Sequence, residues 1–153
     1  MEPSLHIVCP HCDTINRVPR AKLGSGEAGA GRCGQCRQAL FERRPVALDT
    51  MRFARHAEKG GIPLLIDFWA PWCGPCRIMA PEFEHAAALL EPAVRLIKVN
   101  VDEEPALATR FRVQSIPTLV LAFQGRELAR AAGAQSARQL VEWTRSALAE
   151  ARV

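Results

Sequence analysis

The fold of this chain is decided by residues 64–77, which read LLIDFWAPWCGPCR. The first six are mostly large and apolar, as in a strand buried on both faces, and a Pro/Gly-rich turn with Cys73 and Cys76 follows them. Apolar residues then recur at helical spacing over residues 78–90, where we expect Pro81 to kink the helix near its start. The segment therefore predicts an α/β fold with a cysteine at a helix N-terminus.

The position of Cys73 predicts a reactive thiol. The free N–H groups and partial positive charge at a helix N-terminus stabilise a thiolate and lower the pKa of the cysteine. Asp67 lies inside the apolar strand, where burial raises the pKa of a carboxyl group. Such a group can accept and release protons near neutral pH. The alternative is that Asp67 only hydrogen-bonds a backbone turn.

Strands and helices alternate along the rest of the chain. The patterns predict helices at 50–59 and 103–111, strands at 94–101, 119–123 and 127–131 with a turn at Gln124 and Gly125, and a last helix capped by Ser136. Parallel strands followed by a terminal hairpin indicate a mixed central sheet covered by helices.

All six cysteines of the chain occur in Cys-x-x-Cys pairs. Cys9 and Cys12 are separated by 20 residues from Cys33 and Cys36, which is the ligand spacing of a zinc ribbon. Each pair can direct two thiolates at one ion, and the glycine-rich residues 24–31 give the connecting segment flexibility. The pattern predicts one structural zinc ion with four cysteine ligands.

The N-terminal segment has little other means of folding. Residues 1–40 contain few large apolar side chains, so we expect zinc to supply most of the folding free energy, with short strands near 5–8 and 40–41. His6 and His11 are interpreted as surface residues. The alternative for the four cysteines is two disulfides, as in a small secreted domain.

Composition and charge narrow the class of protein. Apolar residues make up 48% of the 153 residues and charged residues 24%, as in globular proteins. We expect no membrane span, because the longest apolar run is interrupted by Asp67 and prolines, and no secretory signal, which favours the cytoplasm. The net charge of +4 is modest, although +3 of it lies in residues 1–44. A specific nucleic-acid binder usually shows a denser basic cluster, so nucleic-acid binding is not favoured.

Several motifs carry a family resemblance. WCGPC at 72–76 after DFWA, with SIPT at 115–118 and KVNVD at 98–102, resembles thioredoxin. The likeness covers roughly residues 46–150, and with the N-terminal cysteines the whole chain is similar to the zinc-binding thioredoxins of bacteria. This implies a zinc ribbon and connector at 1–45 and a thioredoxin domain at 46–153, the domain having the thioredoxin fold.

The resemblance also implies an activity, protein-disulfide reduction by a Cys-Gly-Pro-Cys dithiol. Cys73 would attack the target disulfide and Cys76 would resolve the mixed disulfide, giving a redox-active Cys73–Cys76 disulfide. Asp67 would accept the proton of Cys76, with Lys98 influencing its charge. The residues expected to border the target are Trp72, Gly74, Pro75, Ile116, a cis Pro117 and Gly133. Without the resemblance, Pro117 is an ordinary loop proline and Trp72 a packing residue.

The expected partners are disulfide-containing target proteins and an NADPH-dependent thioredoxin reductase. The chain has no dinucleotide-binding motif, so no bound nucleotide is expected, and we expect a monomer that serves redox homeostasis and the oxidative-stress response. One alternative is an exported oxidase or isomerase, which the absence of a signal and the Gly-Pro pair disfavour. Another is a zinc-dependent binding module with the second domain as a scaffold.

Overall fold

The structure, a computed structural model, describes residues 3–24 and 31–153. In chain order the elements are β1 (Ser4–Val8), β2 (Ile15–Pro19), α1 (Arg20–Gly24), β3 (Val46–Ala47), α2 (Thr50–Lys59), β4 (Leu64–Trp69), α3 (Gly74–Leu90), β5 (Arg95–Asn100), α4 (Pro105–Arg110), β6 (Thr118–Phe123), β7 (Arg126–Ala132) and α5 (Ala137–Ala151). The segment predicted to be flexible lies largely at 25–30, outside the described residues.

A five-stranded mixed sheet organises the larger part of the chain. Its strand order is β3-β5-β4-β6-β7. β3 and β4 run parallel to β5, whereas β6 is antiparallel to β4 and to β7. β4 lies in the centre because its first five residues are all buried, as a strand covered on both faces requires. The predicted mixed sheet with a terminal hairpin is confirmed.

Helices cover both faces of the sheet. On one face, Phe53 of α2 and Leu107 of α4 pack with Phe68 of β4 in one apolar cluster. On the other face, Phe83 of α3 and Leu140 of α5 pack in a second cluster. The sheet is therefore the middle of three layers, and the loop after β4 emerges at its carboxyl edge carrying the cysteine pair.

The boundaries of two helices show how local residues set them. Ser136 caps α5 with a complete capping box. Its side-chain oxygen accepts a hydrogen bond from the Gln139 N–H, and the Gln139 side-chain oxygen accepts one from the Ser136 N–H. α4 is shorter than the predicted 103–111: Pro105 occupies its first turn, and Arg112 at φ +53° ends it.

The N-terminal module is a two-stranded ribbon. The predicted strand near residues 5–8 corresponds to β1, and it pairs antiparallel with β2. No strand was predicted at the position of β2. The strand predicted near residues 40–41 is wrong: Leu40 and Phe41 are buried side chains on irregular backbone, and the only bridge described nearby joins Arg32 to Ala39. Burial in the ribbon core rather than strand pairing explains why these residues are large and apolar.

The ribbon packs against the sheet at the end remote from the cysteine pair. Ile62, just before β4, completes an apolar cluster with ribbon residues such as Ile7 and Phe41. The N–H of Gly61 donates to the carbonyl of His6 at 2.7 Å. A Cβ at Gly61 would lie 3.0 Å from that oxygen, a tight contact, so this approach favours glycine.

Candidate redox site and metal centre

Cys73 is the N-cap of α3, as predicted. Its backbone is extended, and its Sγ accepts a hydrogen bond from the N–H of Cys76 at 3.2 Å. The two cysteines form a disulfide with their Cα atoms 5.2 Å apart. Gly74 and Pro75 occupy the first helical turn, where proline replaces an N–H that would have no partner in the helix. The helix N-terminus thus directs the N–H of Cys76 at the sulfur of Cys73.

The loop before β6 faces the disulfide. The Ile116–Pro117 peptide bond is cis, as the family resemblance implies. The carbonyl oxygen of Ile116 lies 3.7 Å from Cys73 Sγ. The N–H of Gly133 donates to the carbonyl of Pro117 at 2.9 Å, and Gly133 has φ +96°, which favours glycine. The structure therefore brings the cysteine pair, the cis proline and Gly133 together.

Asp67 lies in the central strand β4, six residues before Cys73. It is 1% exposed, and its Oδ1 has no hydrogen-bond partner among the described residues. Burial raises the pKa of Asp67 to about 7, although the charge of Lys98, its partner in the β4–β5 register, opposes the shift. The Lys98 ammonium lies 4.2 Å from the ring centroid of Trp69. The predicted buried, titratable carboxylate is present.

Trp72 is the large exposed side chain beside the disulfide. It is 68% exposed, and its indole N–H donates to Asp102 Oδ2 at 2.7 Å. The hydrogen bond fixes the orientation of an apolar ring that has little packing of its own. Sequence analysis missed this role of Asp102, although the residue lies within the KVNVD motif, because the partner is thirty residues away.

The other four cysteines converge on one point. Their four Sγ atoms lie within 4.8 Å of one another, and none is disulfide-bonded. Cys9 and Cys36, and likewise Cys12 and Cys33, have their sulfurs 3.6 Å apart. Zn–S bonds of about 2.3 Å in a tetrahedron place sulfurs about 3.8 Å apart. The cluster therefore has the dimensions of a tetrahedral thiolate site, in line with the predicted ligand set.

The two halves of the cluster have matching backbone geometry. In each, the N–H two residues after the first cysteine donates to its sulfur: His11 to Cys9 at 3.3 Å and Gln35 to Cys33 at 3.4 Å. The two first cysteines differ in their electrostatics. Backbone N–H bonding, above all from Cys36, lowers the pKa of the Cys33 thiol to about 6, whereas burial raises the pKa of Cys9 to about 12. A zinc ion binds thiolates and releases their protons when it binds, so the ion itself would have to deprotonate Cys9.

The residue that closes the first cysteine turn also connects the two modules. Asp13, like Arg37 in the second turn, has a left-handed backbone, with φ values of 62° and 70°. Its carboxylate accepts from Arg52 Nε at 2.9 Å and lies 3.0 Å from His56 Nε2, both on α2. Arg52 also donates to the carbonyl of Pro10 at 2.6 Å. Nothing in the local sequence indicated these contacts, because they join residues about forty positions apart.

A mixed sheet between helices, with a Cys-Gly-Pro-Cys disulfide at the N-terminus of α3, defines the class of thiol-disulfide oxidoreductases. Comparison with known proteins agrees. The thioredoxin family model matches residues 44–146, and the zinc-ribbon model described as "Thioredoxin 2, N-terminal" matches residues 8–38. The chain belongs to the thioredoxin family.

Individual relatives support the assignment over nearly the whole chain. Thioredoxin C-3 of Corynebacterium nephridii is 42% identical over 137 residues, which cover 90% of this chain and 91% of that protein. A thioredoxin of Haemophilus influenzae is 44% identical over 54% of this chain and 77% of its own length.

Solved structures give the same result for the larger module. Chloroplastic thioredoxin z superposes with a TM-score of 0.63 at 28% identity, covering 69% of this chain and 96% of its own. A point mutant of a thioredoxin from Halobacterium salinarum gives 0.62 at 29% identity, covering 69% and 92%. The chain is a thioredoxin-type thiol-disulfide oxidoreductase. No helix within the described ranges is long and apolar enough to cross a membrane.

Proposed function

We propose that this chain is a protein-disulfide reductase that keeps protein thiols reduced in the cytoplasm. The observation that carries the proposal is the arrangement around Cys73: its sulfur caps the N-terminus of α3, and the Ile116 carbonyl lies 3.7 Å from it. The strand that leads to this loop also carries the buried Asp67 carboxyl group. These are the parts that nucleophilic attack, target binding and proton transfer need.

The reduced dithiol would react in two steps. First, the Cys73 thiolate attacks one sulfur of the target disulfide and the other target sulfur leaves as a thiolate, giving a mixed disulfide. Then the Cys76 thiolate attacks Cys73 Sγ and releases the second target thiolate. Two electrons pass to the target and the Cys73–Cys76 disulfide remains. Cys73 is assigned the first attack because it is the helix cap and the less buried cysteine, 5% exposed against 2% for Cys76.

Asp67 would serve the second step. The Cys76 thiol must lose its proton before it attacks, and a carboxyl group with a pKa of about 7 can accept that proton at neutral pH. Lys98 favours the ionised form of Asp67, so it adjusts how readily the proton is taken.

An extended target segment would bind across the face that carries the disulfide. The Ile116 backbone would pair with it, while Pro117 keeps the loop close to the sulfurs. The exposed indole of Trp72, fixed by Asp102, gives an apolar contact. Gly74, Pro75 and Gly133 lack bulky side chains at this face, which leaves room for the target backbone.

The four-cysteine cluster would hold one zinc ion through Cys9, Cys12, Cys33 and Cys36. Bound there, the ion supplies no redox chemistry: it neutralises thiolates and joins the two cysteine turns. The apolar cluster of the ribbon contains only a few large side chains, and one of them, Ile62, belongs to the other module. We therefore assign residues 1–45 to a zinc-stabilised ribbon and 46–153 to the thioredoxin domain.

The oxidised chain would be reduced by an NADPH-dependent thioredoxin reductase, and the chain would act as a monomer without a bound nucleotide. Its cellular role would be to maintain redox homeostasis and to reduce protein disulfides under oxidative stress.

The direct test is NADPH-coupled reduction of insulin disulfides with a thioredoxin reductase present. We expect activity in the native chain, none in Cys73→Ser, and retained activity in a folded Cys9→Ser/Cys12→Ser variant. An inactive native chain, fully reduced and loaded with zinc, would contradict the proposal and favour a zinc-dependent binding module instead.

A further inference from the structure

The loop at residues 111–117 brings Pro117 to the disulfide. The last part of the loop is held tightly. Thr118 Oγ1 donates to the carbonyl of Ser115 at 2.5 Å, and Gly133 N–H, at the end of the edge strand β7, donates to the carbonyl of Pro117 at 2.9 Å. The end of this loop is therefore fixed by Gly133, the residue after β7, and by Thr118, the first residue of β6.

The start of the loop has an unfavourable backbone. α4 ends in a Schellman motif, in which Arg112 N–H bonds the carbonyl of Thr109 at 3.0 Å and Val113 N–H bonds the carbonyl of Ala108 at 2.9 Å. The motif needs a left-handed residue, and Arg112 takes that position with φ +53°. Glycine adopts this conformation readily but an arginine does not, so the turn requires further support.

Arg130 of β7 supplies that support. Its guanidinium donates through Nη2 to the carbonyl of Phe111 and through Nη1 to the carbonyl of Arg112 at 3.4 Å. Glu127 holds the guanidinium in a two-point contact, with Nε–Oε2 2.9 Å and Nη2–Oε1 2.8 Å. A planar, charged donor bridging carbonyls at a helix C-terminus is electrostatically favourable. The loop is thus held at both ends, at the start by the Arg130 side chain of β7 and at the finish by the backbone of Gly133, the residue after β7.

We propose that Arg130, oriented by Glu127, is a positioning residue for target binding: it fixes the start of the 111–117 loop and so sets where the Ile116 backbone meets a protein target. The proposal rests on the reductase function proposed above. Arg130 acts through the loop and not on the sulfurs, so it affects targets that pair with the loop backbone. A small disulfide that reaches Cys73 without such pairing is indifferent to it.

The test compares Arg130→Ala with Arg138→Ala as a matched control, because Arg138 also pairs with a glutamate, Glu142, at 3.1 Å on the exposed face of α5. For insulin as substrate we expect Arg130→Ala to raise KM about threefold to tenfold with kcat within about twofold. The rate constant with the neutral disulfide of mercaptoethanol should change less than about twofold. Arg138→Ala should match the native chain in both assays.

Two conservative variants separate positioning from general damage to the fold. Arg130→Lys keeps the charge but not the planar fork that reaches two carbonyls, so its KM should lie between those of the native chain and Arg130→Ala. Glu127→Gln weakens the orientation alone and should raise KM by about twofold. Thermal unfolding of each variant confirms that the assays are made on folded protein.

The positioning role is wrong if KM for insulin in Arg130→Ala equals that of the Arg138→Ala control, or if both substrates slow by the same factor. In either case the native chain still reduces insulin, so the result contradicts the role of Arg130 but not the reductase function. A native chain that reduces neither substrate would overturn the function and the positioning role together.

Discussion

Arg95 Nη2 lies 3.2 Å from the carbonyl oxygen of Val8, so a buried guanidinium at the start of β5 is hydrogen-bonded to the strand that leads into the first cysteine turn. Arg95 is 2% exposed, stacks on the ring of Phe41 at 4.1 Å and lies 3.7 Å from the carboxylate of Glu91. Arg95 therefore contacts the ribbon at two points, the Val8 carbonyl and the Phe41 ring, and both contacts help to hold the ribbon against the sheet.

Removing Arg95 should be costly. Arg95→Met removes the buried guanidinium that pairs with Glu91, whose carboxylate keeps its hydrogen bond from the Arg43 N–H. Breaking a buried ion pair costs about 3–5 kcal/mol of unfolding free energy. Urea denaturation should show that loss, whereas Arg138→Ala should change stability by less than about 1 kcal/mol. Adding Glu91→Gln to Arg95→Met should restore part of the loss. A single variant as stable as the control would mean that the pair does not hold the modules together.

Asp67 should make stability depend on pH. Its pKa is raised to about 7 by burial, against about 4 in the unfolded chain. The folded state therefore keeps the Asp67 proton more strongly, and the contribution of Asp67 to stability falls as pH rises from about 4 to about 7. Asp67→Asn removes this contribution. The unfolding free energy of the variant minus that of the native chain should therefore be about 4 kcal/mol larger at pH 8 than at pH 4. Urea denaturation of both oxidised proteins between about pH 4 and pH 8 measures this difference in unfolding free energy. A difference that does not change with pH would contradict the raised pKa of Asp67.

The same substitution should slow catalysis at one step only. Without a proton acceptor for Cys76, Asp67→Asn should resolve the mixed disulfide about tenfold to hundredfold more slowly near neutral pH, while the first attack by Cys73 stays within about twofold. Rapid mixing with acid quench would detect the accumulating mixed disulfide. Equal slowing of both steps, or of neither, would remove Asp67 from proton transfer.

Metal removal should unfold the ribbon selectively. Chelation takes away the ion that joins the two cysteine turns, so amides of β1 and β2 should lose hydrogen-exchange protection while those of β4 and β6, in the central sheet, retain it. Cys9→Ser/Cys12→Ser should show the same pattern without chelator. Unchanged protection in β1 and β2 would mean that the cysteine cluster is not what stabilises the ribbon.

The sequence was most informative where a residue's surroundings are local. The burial of β4, the capping of α5 by Ser136 and the place of Cys73 at the start of α3 all depend on nearby residues, and the structure confirms them. The cysteine spacing also predicted which four thiols converge, because only ligand geometry was needed.

Features set by distant partners were missed. The short strand β3 exists only through its pairing with β5, and β2 only through its pairing with β1. The roles of Asp13, Arg95 and Arg130 were missed because their decisive contacts are with residues far along the chain. The local pairs of Arg95 with Glu91 and of Arg130 with Glu127 do not reveal them. The prediction at Leu40 failed for the opposite reason. Its apolar neighbourhood is typical of a strand, yet it packs inside the ribbon outside any regular strand, with its N–H bonded to the carbonyl of Gly31.

The central claim, that Cys73 is the nucleophile of a disulfide reductase, is tested most directly by trapping the reaction intermediate. Cys76→Ser, reduced and mixed with a disulfide-containing protein such as insulin, should accumulate a covalent complex whose peptide map joins Cys73 to the target. Cys73→Ser should accumulate far less, because Cys76 is deeper and is not the helix cap. A complex formed through Cys76 or through the four ribbon cysteines, with Cys73 left free, would contradict the account.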